Sequence, residues 1–219
     1  MQGPRALETV GTLFPEAGDL AFMAAAEVEF EGAGLVLTRS GYTGELGFEL
    51  FGPSEVGGAL WGELMEVGAA FGIAPCGLGA RDVLRLEMGY PLYGQDLGPD
   101  RTPLEAGLGW AVALGKPGLV GKEALERQRA SALPSRLRGL VTDDRRSIPR
   151  AHHPVLASGA VIGEVTSGSY SPTLGRGIAM AYLAPGDAFE PGTSVEIDIR
   201  GRRARAAVVA PPFVDRDPR

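Results

Sequence analysis

Two segments of this 219-residue chain carry side chains whose types and spacing could do chemistry. The first is Gly47-Phe48-Glu49-Leu50-Phe51, in which an acid alternates with apolar residues. The second runs from Cys76 to Leu97 and reads C-G-L-G-A-R-D-V-L-R-L-E-M-G-Y-P-L-Y-G-Q-D-L. It opens as a helix in which Arg81 stands among Gly77, Gly79 and Ala80 and heads the apolar run Val83, Leu84, Leu86, Met88. A guanidinium placed there is expected to lie away from open solvent. It would then pair with an internal acid or be held for an anionic or acceptor-rich ligand, because an unpaired buried charge is costly. Strand alternation turns Glu49 to the sheet face opposite Phe48 and Leu50. If a helix over 78–88 covers that face, Glu49 and Arg81 meet. Two readings of such residues stay open. One is a structural ion pair, or a solvated Glu49 on an open sheet face. The other is recognition of a heterocycle, the carboxylate accepting from an amino-pyrimidine edge and the guanidinium donating to ring acceptors or a carboxylate. Tyr90 and Tyr93 flank Pro91 and either cap the core or stack on a flat ligand. Asp82 is expected to cap or pair locally.

Other polar segments are less specific. Gly41-Tyr42-Thr43-Gly44-Glu45 reads as a glycine-bracketed hairpin connection. Ser167-Gly168-Ser169-Tyr170-Ser171-Pro172 reads as a flexible polar loop between strands. His152 and His153 lie in a proline-flanked loop with no carboxylate at ligand spacing, so no metal site is expected. The single cysteine, Cys76, permits no internal disulfide. Neither a Walker-type phosphate loop nor a dinucleotide-binding glycine fingerprint is present. The net charge of −6 leaves no electrostatic footprint for nucleic acid. No apolar run is long enough for a membrane helix, and the N-terminus has no basic head before an apolar core. A cytoplasmic protein with no nucleic-acid or membrane partner is expected.

The elements that must position these residues follow from periodicity and punctuation. Helical spacing covers 4–14 and is ended by Pro15. From Ala24 to Phe51 the period becomes two, around the turn Glu31-Gly32-Ala33-Gly34. Ser54 is placed as the N-cap of a helix reaching about Phe71, with Gly72 as its terminator. The helix from Leu78 to Met88 follows, then an extended, buried segment over 102–113 and a short helix at 121–130. Beyond Ser135 the pattern is almost all strand, at 136–142, 154–157, 160–165, 176–183, 194–199 and 203–209, which predicts a small barrel or sandwich. The fold class is α+β: an antiparallel-sheet domain with helices, followed by a small all-β barrel.

Taken in order, G-Y-T-G-E-L-G-F-E-L, the 77–97 segment, T-P-L-E-A-G-L-G-W-A-V, G-K-E-A-L, V-T-S-G-S-Y-S-P-T-L-G-R-G-I-A-M-A-Y-L and the closing P-P-F-V resemble the glycine cleavage T-protein, or aminomethyltransferase, family. Together they run over almost the whole chain. The resemblance implies transfer of a one-carbon unit from the aminomethyl group on the lipoylated H-protein to tetrahydrofolate, with release of ammonia. By position, Glu49 matches the family glutamate that holds the pteridine ring, Arg81 the arginine on the folate, and Tyr90 a residue lining the same pocket. It divides the chain into a remnant of a first domain at 1–20, a folate-binding α+β domain at 21–120 and a β-barrel domain at 121–219. Family members are longer at the N-terminus, and the part without a counterpart here holds the aspartate that orients folate. Gln2-Gly3-Pro4 matches an internal family site, and no aromatic follows Pro212-Phe213-Val214. The resemblance therefore supplies no catalytic residue, and the alternative function is a non-catalytic folate-binding module of the same superfamily.

Overall fold

Turn chemistry and strand alternation build the first half of the structure, a computed structural model that describes residues 1–186 and 188–217. The chain divides into two compact units, residues 1–85 with the terminal segment from Asp215, and residues 86–214. In the first, β1 (Ala25–Phe30), β2 (Ala33–Thr38) and β3 (Glu49–Phe51) form an antiparallel sheet in that order. The hairpin turn is Glu31-Gly32, both at positive φ (50° and 78°). Two such residues give the backbone twist that matches paired strands. Val28, Leu35 and Leu37 are buried while Glu27, Glu29 and Val36 are exposed, so the period of two selects one core face. Helix α1 (Ala6–Leu13) and helix α2 (Ser54–Gly68) supply the rest of this core. Ala6, Val10, Phe14 and Phe48 are buried there, and Val56, Leu60 and Leu64 pack against them. Burial of each large side chain contributes roughly 1.5–3 kcal/mol.

Two local expectations need correction. Pro15 does not merely stop α1; it opens a 3-10 turn over Pro15–Gly18, where its fixed φ is suited to a first helical position. Ser54 is not the N-cap. Pro53 holds the extended flanking position (φ −59°, ψ 141°), and the Ser54 hydroxyl donates to the Glu55 carboxylate at 3.2 Å. The C-terminal end behaves as expected. After a 3-10 turn at Ala69–Phe71, Gly72 takes φ 76° and the Ile73 N–H returns to the Gly68 carbonyl at 3.1 Å.

Helix α3 (Leu78–Glu87) runs to the unit boundary, and its last residues begin the second unit. There Leu86 packs with Ile178 and Met180. After helix α4 (Lys122–Arg129) come β4 (Arg136–Thr142), β5 (Pro154–Ala157), β6 (Ala160–Ser171), β7 (Arg176–Leu183), β8 (Ser194–Ile199) and β9 (Arg202–Val209). They close into a barrel of order β4-β7-β6-β5-β8-β9, sealed because β4 pairs with both β7 and β9. Closure removes the open edges a small sheet would leave. Leu140, Val155, Val165, Leu183, Ile197 and Val208 fill its core.

Two readings of this unit are overturned. The 167–172 stretch is not a flexible loop: β6 continues to Ser171, with Ser169 opposite Ile178 and Ser171 opposite Arg176. Polar residues can stay in this strand because buried carboxylates accept from their hydroxyls, as described below. The 102–113 stretch is not extended and buried. Thr102 Oγ1 accepts from the Glu105 N–H and Glu105 Oε2 accepts from the Thr102 N–H, both at 3.2 Å, which makes a capping box over one helical turn. Gly107 at φ 75° ends it, a 3-10 turn follows at Gly109–Ala111, and Trp110 is 85% exposed. Among the described residues no helix is long and apolar enough to cross a membrane.

Candidate functional site

Glu49 lies on the open face of the three-stranded sheet. Register sets it opposite Thr38, and Thr38 opposite Ala25; the next line across is Phe51, Val36 and Glu27. Phe48 and Leu37 point the other way into the core. Phe51 is 55% and Val36 41% exposed, so an apolar surface borders the carboxylate. Ser40 Oγ donates to Glu49 Oε2 at 2.6 Å, and Thr38 Oγ1 lies 2.7 Å from Ser40 Oγ. Because Ser40 spends its one hydroxyl proton on Glu49, the Thr38 hydroxyl must donate to Ser40. Glu49 Oε2 is thus held and Oε1 takes no hydrogen bond from the described residues. The Met1 ammonium donates to the Phe48 carbonyl at 2.8 Å; burial lowers its pKa, against the opposing pull of the Glu49 charge.

The Cys76–Leu97 segment does not bury the arginine that sequence reasoning chose. Arg81 is exposed and forms no ion pair with Glu49 among the described residues; its guanidinium sits 4.9 Å over the ring of Tyr42. The buried arginine is Arg85, 1% exposed, one helical turn on. Its Nε and Nη2 both donate to Asp82 Oδ1, at 2.9 and 2.7 Å, so Asp82 pairs locally as expected. The small residues before Arg81 leave the first turn of α3 open, and the buried stripe begins a turn later. Tyr90 is partly buried and belongs to the second unit, whereas Glu49 and Arg81 belong to the first.

The connection from Ser40 to Gly47 is built round Gln2. Its Nε2 donates to the Ser40 carbonyl at 3.1 Å, and its Oε1 accepts from Thr43 Oγ1 at 3.0 Å. A Cβ on Gly41 or Gly47 would fall 1.9 or 2.2 Å from the Gln2 side chain, so both positions are filled by it. Arg216 completes the turn, with Nε 3.3 Å from Glu45 Oε1 and Nη1 donating to the Thr43 carbonyl at 3.3 Å.

Three buried acids in the second unit escaped the sequence reading: Glu87, Asp96 and Glu105. Glu87 accepts from Ser171 Oγ at 2.5 Å, Thr173 Oγ1 at 3.1 Å and the Thr173 N–H at 3.4 Å. Asp96 accepts from Thr166 Oγ1 at 2.5 Å, Ser167 Oγ at 2.8 Å and the Leu92 N–H at 2.9 Å. Its carbonyl accepts from the Tyr182 hydroxyl at 2.9 Å. Burial pushes the Tyr182 pKa up to about 12, against the Arg101 guanidinium 4.3 Å over its ring. Burial also pushes the Glu105 carboxyl up, but hydrogen bonds from Ser135, Thr102 and Gln128 outweigh it and hold the pKa below its ordinary value. These acids clamp the 86–105 segment to the barrel. The available signals were the T-P-L-E capping box and the hydroxyl-rich 166–173 stretch.

His152 Nδ1 lies 2.8 Å from Glu164 Oε1 on the exposed surface, and no cluster of metal-ligating side chains occurs among the described residues.

Comparison with known proteins bears on both units. Residues 1–116 match the family model described as the GCVT N-terminal domain, and residues 136–215 match the glycine cleavage T-protein C-terminal barrel domain. The chain is 48% identical over 221 residues to an aminomethyltransferase of Frankia alni, covering 100% of this chain and 59% of that protein. It is 46% identical over 217 residues to one of Moorella thermoacetica, covering 99% and 59%. Among solved structures it resembles the glycine cleavage system aminomethyltransferase T from Bartonella henselae, with a TM-score of 0.89 and 33% identity over 99% of this chain and 59% of that one. The chain therefore spans about 59% of the length of these relatives.

Proposed function

The chain belongs to the glycine cleavage T-protein family, and we propose that it carries the folate-recognising part of an aminomethyltransferase. The reaction moves the one-carbon unit of an aminomethyl-lipoyl group, borne by the H-protein, onto tetrahydrofolate and releases ammonia. The observation that carries this reading is Glu49, a carboxylate held at one oxygen and open at the other, beside exposed Phe51 and Val36. A pteridine has a flat ring to lie on that apolar surface and an amino-pyrimidine edge to donate to the carboxylate. Arg81 is assigned to the acceptor groups of the same ligand, and the Tyr42 ring beneath it limits where its guanidinium can go. The carboxylates of Glu87, Asp96 and Glu105 are engaged by hydroxyl and amide donors, so none of them is assigned to the transfer step. The reaction is placed in the cytoplasm.

Calorimetric titration with tetrahydrofolate tests the reading. Binding that Glu49→Gln weakens by at least tenfold is expected, since the amide presents a donor to the ligand's donors. No detectable binding, or an unaffected variant, overturns it. Ammonia release from aminomethyl-loaded H-protein then separates a transferase from a folate-binding module.

A further inference from the structure

We infer that Ser40, backed by Thr38, is a positioning residue that fixes the Glu49 carboxylate for a ligand edge with two adjacent N–H donors. This rests on the folate reading of the Glu49 face and adds the group that sets its geometry. A glutamate on an open strand face is otherwise free to turn about its side-chain torsions. Fixing such a side chain costs about 1.5–2 kcal/mol, and a site that has already fixed it spares the ligand that cost. Here the ordering is done by a directional chain of hydroxyls, Thr38 to Ser40 at 2.7 Å and Ser40 to Glu49 Oε2 at 2.6 Å. Both steps are at or below the usual length for hydroxyl donors, as expected where the final acceptor is ionised.

The donor itself is immobile. The Arg39 N–H bonds the Ala24 carbonyl at 3.0 Å and the Arg39 carbonyl accepts from the Met23 N–H at 2.9 Å, which ties down the residue before Ser40. The Ser40 carbonyl is bound by Gln2 Nε2 at 3.1 Å. The hydroxyl therefore approaches Glu49 from a backbone anchored on both sides. It uses one acceptor position on Oε2, leaving the other position there and all of Oε1. Two carboxylate oxygens side by side match an exocyclic amine and the neighbouring ring N–H of a 2-amino-pyrimidinone. A ligand offering one donor would use half of the arrangement and lose discrimination, because an acceptor ordered for a donor rejects a ligand that lacks it.

The test compares Ser40→Ala, Ser40→Thr and Glu49→Gln with the unaltered chain, each titrated with tetrahydrofolate and with its 2-desamino analogue. Melting temperature is followed in parallel. Ser40→Ala is expected to weaken tetrahydrofolate about tenfold, to leave the weaker binding of the 2-desamino analogue unchanged, and to melt within about 2 °C of the parent. Ser40→Thr, which restores the hydroxyl, is expected to recover most of the affinity. Equal loss for both compounds, a loss that follows a falling melting temperature, or no loss at all overturns the positioning role. If in those cases Glu49→Gln weakens tetrahydrofolate and no longer selects against the 2-desamino analogue, the folate reading survives without it. If Glu49→Gln binds both compounds like the parent, or the parent binds neither, the folate reading fails and takes the positioning role with it.

Discussion

Arg81 and Arg85 sit one turn apart on the same helix, and replacing each by alanine should separate recognition from stability. Arg85 is buried and Arg81 exposed, so the two substitutions remove different things. Arg85→Ala deletes at least the two charge-assisted bonds to Asp82, which share one acceptor oxygen and together amount to about 1.5–3 kcal/mol. It also deletes two buried methylenes, Cγ and Cδ, at about 0.8 kcal/mol each. Asp82 is 45% exposed and regains water, so its charge is not stranded, and the desolvation cost of the guanidinium is relieved. The net expectation is a loss of about 3 kcal/mol. For a chain of this length that is a fall in melting temperature of about 6–12 °C. Arg81→Ala removes one exposed contact with the Tyr42 ring, for which about 0.5–1 kcal/mol is an upper figure. Urea denaturation followed by circular dichroism reads both, and tetrahydrofolate titration reads the second. Arg81→Ala should lose at least tenfold in affinity at nearly parental stability. If it destabilises the chain as much as Arg85→Ala does, Arg81 is structural and the assignment fails.

The buried acids of the second unit give two further tests. Asp96→Ala should cost about 3 kcal/mol, mainly by leaving the Leu92 N–H without an acceptor. Thr166 and Ser167 can turn to the Met180 carbonyl and Gln95 Oε1, which they already approach at 3.2 and 3.1 Å. A urea-unfolding loss below 1 kcal/mol would refute the clamp. Glu105 should add to acid sensitivity. Its folded pKa lies below the ordinary 4.5, so its contribution is complete above that pH and disappears as pH falls through the folded value. Glu105→Gln should flatten the acid limb of a stability–pH curve below about pH 4.5, and an unchanged limb would show that another carboxylate carries it.

Much of the fold is legible because it depends on local signals. The Glu31-Gly32 turn, the Gly72 terminator and the close-spaced strands after Ser135 each have a short-range cause, and each appears where the pattern places it. Where the 167–172 stretch departs from expectation, the cause lies in side-chain partners distant in sequence. Ser167 and Ser171 looked like loop residues because their acceptors, Asp96 and Glu87, are 71 and 84 residues away. Once those carboxylates take the hydroxyl protons, a polar strand is no more costly than an apolar one. Composition alone misplaces Arg81, since the small residues beside it leave the helix end open. Glu49 was placed on the correct face by alternation alone. Its Ser40 and Thr38 partners could be sought from the same rule, because register sets Thr38 directly opposite it.

The state of each carboxylate gives a physical criterion for dividing these acids between structure and recognition. Glu87, Asp96 and Glu105 are buried, and each oxygen of the three accepts at least one bond from a hydroxyl, amide or backbone donor. A ligand could reach them only by displacing those donors, leaving buried hydroxyls or N–H groups unpaired at about 1–3 kcal/mol each. Glu49 differs in the one respect that matters. Its hydroxyl partner orders it without using it up, and it shares its sheet face with exposed Phe51 and Val36. A protein gains little in stability from ordering a half-exposed carboxylate through one oxygen, because the lost side-chain freedom offsets the single bond gained. The arrangement is favourable when something else binds the free oxygen, and the ligand that best fits presents paired N–H donors on a flat ring.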